Sequence, residues 1–192
     1  MIQNKDTFAV PCESTIIMEG KAIKTSESGR TSANFINNAY AFSFSEIRYE
    51  INEVLVDSVR HPGIASTMKN MPLLSAEERA LLHYAVWSPF ESVAHLDYSP
   101  KEVLIDADGS FVAWIPLKLF LPFAEDHRRI VAGVKHELIV TRTRADDDYL
   151  LSREEGAATP SKIEIQRIVW RMPHVNLSDG GKMHMYNILN GW

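Results

Sequence analysis

SFSEIRYEINEVLVDSVRHPGIAS (residues 43–66) holds two runs dense in β-branched and aromatic residues, a short polar break between them, and an abrupt stop at His61-Pro62-Gly63. From residue 40 to 59 the pattern has period two, as expected of strands with one buried face. Tyr40, Phe42 and Phe44 fall on one face, then Ile47, Tyr49 and Ile51 on the other. One extra residue swaps the faces of a strand, so the slip between Phe44 and Ile47 predicts a β-bulge or a bend. The reversal is placed at Glu50-Ile51-Asn52-Glu53, with a second strand over residues 54–59. Pro62 cannot donate to a ladder and Gly63 releases the backbone, so pairing should end by His61.

Before the hairpin, residues 14–18 and 21–25 alternate weakly around Glu19-Gly20, which predicts a short hairpin. Residues 26–38, rich in Ser, Asn, Gly and Thr, read as a linker or exposed loop. After it, Ser75-Ala76-Glu77-Glu78 fits a capping box and predicts a helix over about 76–85. Pro89 and Pro100 bracket a turn-rich stretch. Strands are expected at 102–106 and 110–115, joined through Asp106-Ala107-Asp108-Gly109, where Gly109 accepts the positive φ of a tight turn. Proline-bounded pieces at 117–121 and 123–129 precede strands near 130–134, 136–144 and 162–170. Residues 144–161, with Asp146-Asp147-Asp148, read as a long exposed loop, and residues 177–189 open like a capped helix.

Eight or nine short strands with long connections and few helices predict an all-β fold with short helices: a jelly-roll β-sandwich of two antiparallel sheets. The alternative is an α+β domain with one sheet. The division is residues 1–38 as N-terminal hairpin and loop, and 39–192 as the jelly-roll domain, one domain overall. The 45% hydrophobic and 23% charged content is that of a globular chain. A net charge of −5 with scattered basic residues argues against nucleic-acid binding. No 18-residue apolar run suggests a membrane span, and the first residues lack the order of a secretory signal, so an intracellular location is expected. The single cysteine, Cys12, cannot form an internal disulfide, and its sequence neighbours offer no base to activate it.

The sequence offers no catalytic, cofactor-binding or metal-binding residue. None of His61, His83, His95, His127, His136, His174 and His184 stands two residues from another, so the paired imidazoles of a metal-binding strand are missing. Of these, His136 opens an apolar strand and is expected to be partly buried. The Asp106–Gly109 turn lacks the further donors of a calcium loop. No nucleophile elbow, phosphate-cradling loop or Cys-x-x-Cys occurs. Glu125 and Arg129, at i and i+4, are expected to form an ion pair on a helical turn. Of the four tryptophans, Trp114 and Trp170 sit inside apolar strands and are assigned to the core, leaving Trp87 and Trp192 for a ligand-stacking face.

FSEIRYEINEVLVDSVRHPGIASTMK (44–69), IPLKLFLPFAEDHRRIVAGVKHELIVTRTR (115–144) and KIEIQRIVWRMPHV (162–175) resemble the double jelly roll-like proteins of arthropod genomes. That family is similar to the major capsid proteins of Maverick or Polinton elements and of adintovirus-type viruses. The resemblance spans residues 42–189 and rests on structural motifs. It implies a capsid-type subunit with two rolls per polypeptide, three polypeptides per capsomer and many capsomers per shell. At 192 residues this sequence holds one roll, corresponding to the N-terminal jelly roll, so a truncated half or a single-roll derivative is expected. The expected function is a non-enzymatic structural subunit of a capsid-like assembly. Its partners would be copies of itself, as a trimer or higher assembly, and a second jelly-roll domain or partner chain. The alternative is a domesticated lectin-like or protein-binding module using Trp87.

Overall fold

Asn52 and Glu53 both adopt positive φ, 49° and 66°, the pair of left-handed residues that a two-residue hairpin with the native strand twist requires. They join strands Phe44–Ile51 and Val54–Arg60, so the reversal and the second strand lie where the sequence places them. The turn is clasped from a third strand: the Lys135 amide donates to Asn52 Oδ1 and the Asn52 amide to the Lys135 carbonyl, both at 2.9 Å. The phase slip is real as well, since the register on the neighbouring strand shifts between Phe44 and Glu46.

In this computed structural model the described residues are 1–3, 8–24, 33–87, 105–106, 108–145, 150–152 and 161–190. In chain order they form β1 (Ile2–Gln3), β2 (Phe8–Ala9), β3 (Thr15–Lys24), β4 (Ala33–Phe35), α1 (Ala39–Phe42), β5 (Phe44–Ile51), β6 (Val54–Arg60), α2 (Pro62–Leu73), α3 (Ala76–Leu81), β7 (Ser110–Pro116), α4 (Pro122–Asp126), β8 (Val131–Ala132), β9 (Lys135–Arg142), β10 (Leu150–Ser152), β11 (Ser161–Arg171), β12 (His174–Val175) and α5 (Asp179–Asn190). The pairings are antiparallel throughout. The ladders run β1-β9-β5-β6, β11-β3-β7, β12-β2-β8 and β10-β4, so two principal layers are accompanied by two short ladders.

The principal layers meet in one core. Phe44, Ile47 and Tyr49 of β5 lie in the same buried cluster as Ile16 and Met18 of β3, Phe111, Ala113 and Ile115 of β7, and Ile163 of β11. Tyr49 meets Trp170 edge-on at 6.1 Å. Phe35, Tyr40 and Phe111 close one end as an aromatic trio with centroids 4.9–5.6 Å apart. Burying each large side chain of this set contributes about 1.5–3 kcal/mol relative to leaving it in water.

Several expectations are overturned. The hairpin at Glu19-Gly20 is instead one continuous strand, β3, central in its sheet. Gly20 is there for space: a Cβ would lie 2.6 Å from both Phe111 Cζ and the Glu164 carbonyl oxygen. Residues 39–42 form α1 rather than a strand, entered from Asn38 in a left-handed conformation (φ 60°). Gly63 sits inside α2, a helix the sequence reading missed, where a Cβ would come within 2.4 Å of the Phe42 ring. His61 at φ 50° makes the corner, and Pro62 occupies the first helical turn, where its missing N–H costs nothing. Ala33–Phe35 and Leu150–Ser152, both placed in loops, pair with each other.

Other expectations stand. Ser75 and Glu78 complete both halves of the capping box, although the α-helix ends at Leu81 and continues as a 3-10 turn, His83–Ala85. These hydrogen bonds from Ser75 hold the Glu78 carboxyl below its usual range. Gly109 has φ 88° and donates to the Asp106 carbonyl at 2.8 Å. The Lys182 amide donates to the Ser178 carbonyl, opening α5 as expected. The strand at 102–106 falls outside the described residues apart from Ile105 and Asp106, which are not in a strand, and the 88–100 stretch and the acidic triplet also lie outside them.

Candidate interaction surface

Four polar contacts, buried or partly buried, fix which faces the molecule presents. The Asn38 amide, 2% exposed, donates to Ser66 Oγ at 2.7 Å and Thr67 Oγ1 at 3.0 Å, tying α1 to α2. Asn70 Nδ2 donates to the Leu119 carbonyl at 3.0 Å and holds the other end of α2 against the turn before α4. Asp57 of β6 accepts from the Phe123 amide at 2.8 Å, capping the start of α4 from a distant strand. Tyr49 Oη and His136 Nδ1 are 2.7 Å apart across β5 and β9. Burial pushes the Tyr49 hydroxyl well above its usual range, so it stays protonated.

With those elements fixed, the outward faces of the two principal sheets can be read from the register. On the β5 sheet, the rows facing away from the core carry Arg60 opposite Glu46, Ser58 opposite Arg48, and Glu50 opposite Glu137. Arg48 pairs with Glu50, Arg60 with Glu46 at 3.7 Å, and Lys135 with Glu137 at 3.2 Å. The same rows also hold Ile139 opposite Arg48 and Leu55 opposite Glu50, both exposed, so the face mixes ion pairs, each contributing about 0–1 kcal/mol, with apolar residues. Glu137 and then Glu53 hold the Lys135 ammonium above its usual range.

On the β3 sheet, the outward row across β7, β3 and β11 is Trp114, Ile17 and Val169. The next row holds Val112, Glu19 and Arg167, and the row beyond Trp114 places Arg171 over its ring at 5.7 Å. Trp114 is 47% and Val112 48% exposed, while Ile17 between its flanking neighbours is 9% exposed. β7 therefore carries large apolar residues on both faces.

Two smaller apolar surfaces accompany it. Ile64, Met68 and Met71 share one exposed side of α2, opposite the buried Ser66 and Asn70. Val54, Leu55 and Val56 lie exposed in β6, the edge strand of its sheet, where the register with β5 shifts between Tyr49 and Glu50.

The tryptophan assignments reverse. Trp87, reserved for ligand stacking, is 1% exposed, whereas Trp114, assigned to the core, is half-exposed. Trp170, also assigned to the core, is half-buried and packs against it, and Trp192 lies outside the described residues. Glu125 pairs with Lys69 of α2, and because α4 ends at Asp126 the expected helical spacing to Arg129 does not exist. His136 is buried, as expected. His61 makes the corner before α2, His127 stacks on Phe123 at 4.9 Å, and His174 Nδ1 lies 2.9 Å from the Met172 carbonyl oxygen. His83 meets Tyr84 edge-on, His184 is exposed on α5, Cys12 is a free, half-buried thiol, and His95 is outside the described residues. Ser110 donates twice to Asp108, which holds that carboxyl low and serves the turn. Among the described residues, no three His, Cys, Asp or Glu side chains gather closely enough to hold a metal ion, and no helix is long and apolar enough to cross a membrane.

No curated protein and no solved structure matches the chain. The family model of the double jelly roll-like domain matches residues 33–192. The match starts after β3, yet β3 is the central strand of one principal sheet. The antiparallel sandwich is thus a jelly roll, and the chain belongs to the double jelly roll-like domain family.

Proposed function

We propose that this protein is a non-enzymatic structural subunit, a jelly-roll building block that self-associates into a capsid-like assembly as a trimer or a higher oligomer. The observation that carries the reading is the apolar outward row Trp114, Ile17 and Val169, with Trp114 half-exposed, on a member of this family. Its partner is a further jelly roll, on a second copy or on a companion chain, and its place is inside the cell or in a virion-like particle. The proposal extends to kinship with the major capsid proteins of Maverick or Polinton elements. The lectin-like alternative loses its principal support, because Trp87 is buried.

Sedimentation velocity from low to high micromolar concentration, with electron microscopy of the purified chain, tests the reading. Concentration-dependent oligomers, rings or shells are expected, and Trp114→Glu combined with Val112→Glu should return a folded monomer. A wild-type chain that remains monomeric at high micromolar concentration, even when a companion roll is added, overturns it.

A further inference from the structure

His136 and His174 stand where the first residues of the chain are joined to the body. His136 in β9 is the register partner of Ile2 in β1, and His174 in β12 is the register partner of Ala9 in β2. The His136 side chain is enclosed at 2% exposure, with Nδ1 against the Tyr49 hydroxyl at 2.7 Å. Tyr49 is itself walled in by Phe123, stacked at 5.1 Å, and by Trp170. A neutral imidazole suits this site, because one ring nitrogen and the phenol share a single proton between donor and acceptor. An imidazolium would make both ring nitrogens donors in an aromatic enclosure, at the cost of a buried charge.

The charged and titratable groups around the site offer that charge little relief. From β12, a proton on His174 opposes one on His136. On β6, Asp57 is the register partner of Tyr49, but its carboxylate accepts from the Phe123 amide. From the segment after α4, His127 stacks on the far side of Phe123. On β9 itself, Lys135 and Glu137 flank His136 and pair with each other, with Glu53 also on Lys135, and Glu50 is the register partner of Glu137.

We propose that His136, assisted by His174, forms an acid-operated latch that holds β1 on the body at neutral pH and releases it on acidification. Burial first, and the His174 charge second, hold the docked His136 below its ordinary range. Ile2, the register partner of His136, packs against the core beside it, so undocking β1 opens that side of the imidazole to water and moves its titration up towards the free value of about 6.5. The released form therefore binds the proton more readily. Docking is unaffected above about pH 6.5, weakens as pH falls from there towards the docked value, and is constant below it. β3, β7 and β11 form the other principal sheet and keep their mutual pairing, although Trp170 of β11 meets Tyr49.

Two-dimensional proton–nitrogen NMR of the full chain from pH 7.5 to 5 tests this, with the His136 ring proton followed in parallel. The Ile2 and Gln3 amides should leave their native positions together with the His136 titration, at a midpoint below about 6.5, while β3, β7 and β11 amides stay in place. His136→Gln should abolish the transition, and His174→Gln should move its midpoint up. β1 amides that hold their positions to pH 5, a transition unchanged in His136→Gln, or simultaneous loss of β3 and β11 overturns the latch. If His136→Gln does not fold, the wild-type coincidence of ring and amide titrations decides alone.

Discussion

Asn38→Ala probes the joint between α1 and α2. Asn38 adopts φ 60° and ψ 27°, and its Nδ2 donates to Ser66 and Thr67 at 2.7 and 3.0 Å inside the fold. Ser66 Oγ also donates to the Pro62 carbonyl at 2.5 Å, a bond the substitution leaves in place, so the loss falls on the two hydroxyl acceptors and on the longer contact to the Gly63 carbonyl at 3.4 Å. At about 0.5–1.5 kcal/mol for each hydrogen bond, that is about 1–3 kcal/mol. Asn tolerates the left-handed region and Ala does not, which adds about 1 kcal/mol. The total of about 2–4 kcal/mol is a large share of the stability of an ordinary domain. With a urea slope of about 2 kcal/mol/M, the midpoint should fall by about 1–2 M. Asn38→Gly separates the two contributions, since it removes the hydrogen bonds but relieves the backbone, and should recover about 1 kcal/mol. Asn38→Asp keeps the conformation but cannot donate, and as its buried carboxylate protonates on acidification the variant should regain stability at lower pH. A midpoint shift under about 0.3 M for Asn38→Ala, or an Asn38→Gly variant indistinguishable from wild type, would falsify the assignment of this residue as an energetic lock.

Gly20→Ala forces a methyl against a backbone carbonyl as well as a ring, so about 1–3 kcal/mol should be lost; Phe111→Leu should restore only part of it, as read by thermal unfolding. Full recovery in the double variant would show that the Glu164 carbonyl is no obstacle. Asp57→Ala removes the distant cap of α4 and should cost about 0.5–2 kcal/mol, seen as a drop of several degrees in Tm, whereas Asp57→Asn keeps an acceptor and should cost less. Equal losses in the two would assign the effect to charge rather than to the cap.

Where a neighbour a few residues away decides the conformation, the sequence suffices. The Asn52-Glu53 reversal, the Ser75/Glu78 capping box, the Gly109 turn and the Ser178 start of α5 are all set by groups within a few positions of one another. Elsewhere the deciding partner is remote. Gly20 looks like a turn until Phe111, some ninety positions on, is seen to fill its missing side chain. Gly63 looks like a strand terminator until the Phe42 ring explains why a helix passes there without a Cβ. Asn38 gives no sign that a hydroxyl pair on α2 holds it in a left-handed conformation that ends one segment and starts α1.

The tryptophans mark a different boundary between sequence and structure. An alternating strand declares its buried face, but Val112-Ala113-Trp114-Ile115 is apolar at every position, so periodicity cannot say which side meets the core. The register answers it: Phe111, Ala113 and Ile115 join the core of the roll, and Val112 and Trp114 face out beside Ile17 and Val169. Leaving such a row in water costs about 25 cal/mol for every Å² of apolar surface that a partner could cover. The β5 sheet shows that this same chain can clothe an outward face in paired charges. Under the proposed function, this row on the β3 face is the surface that meets another subunit. β3, lying before the residues matched by the family model, carries Ile17 at the centre of that face and Ile16 and Met18 behind it in the core.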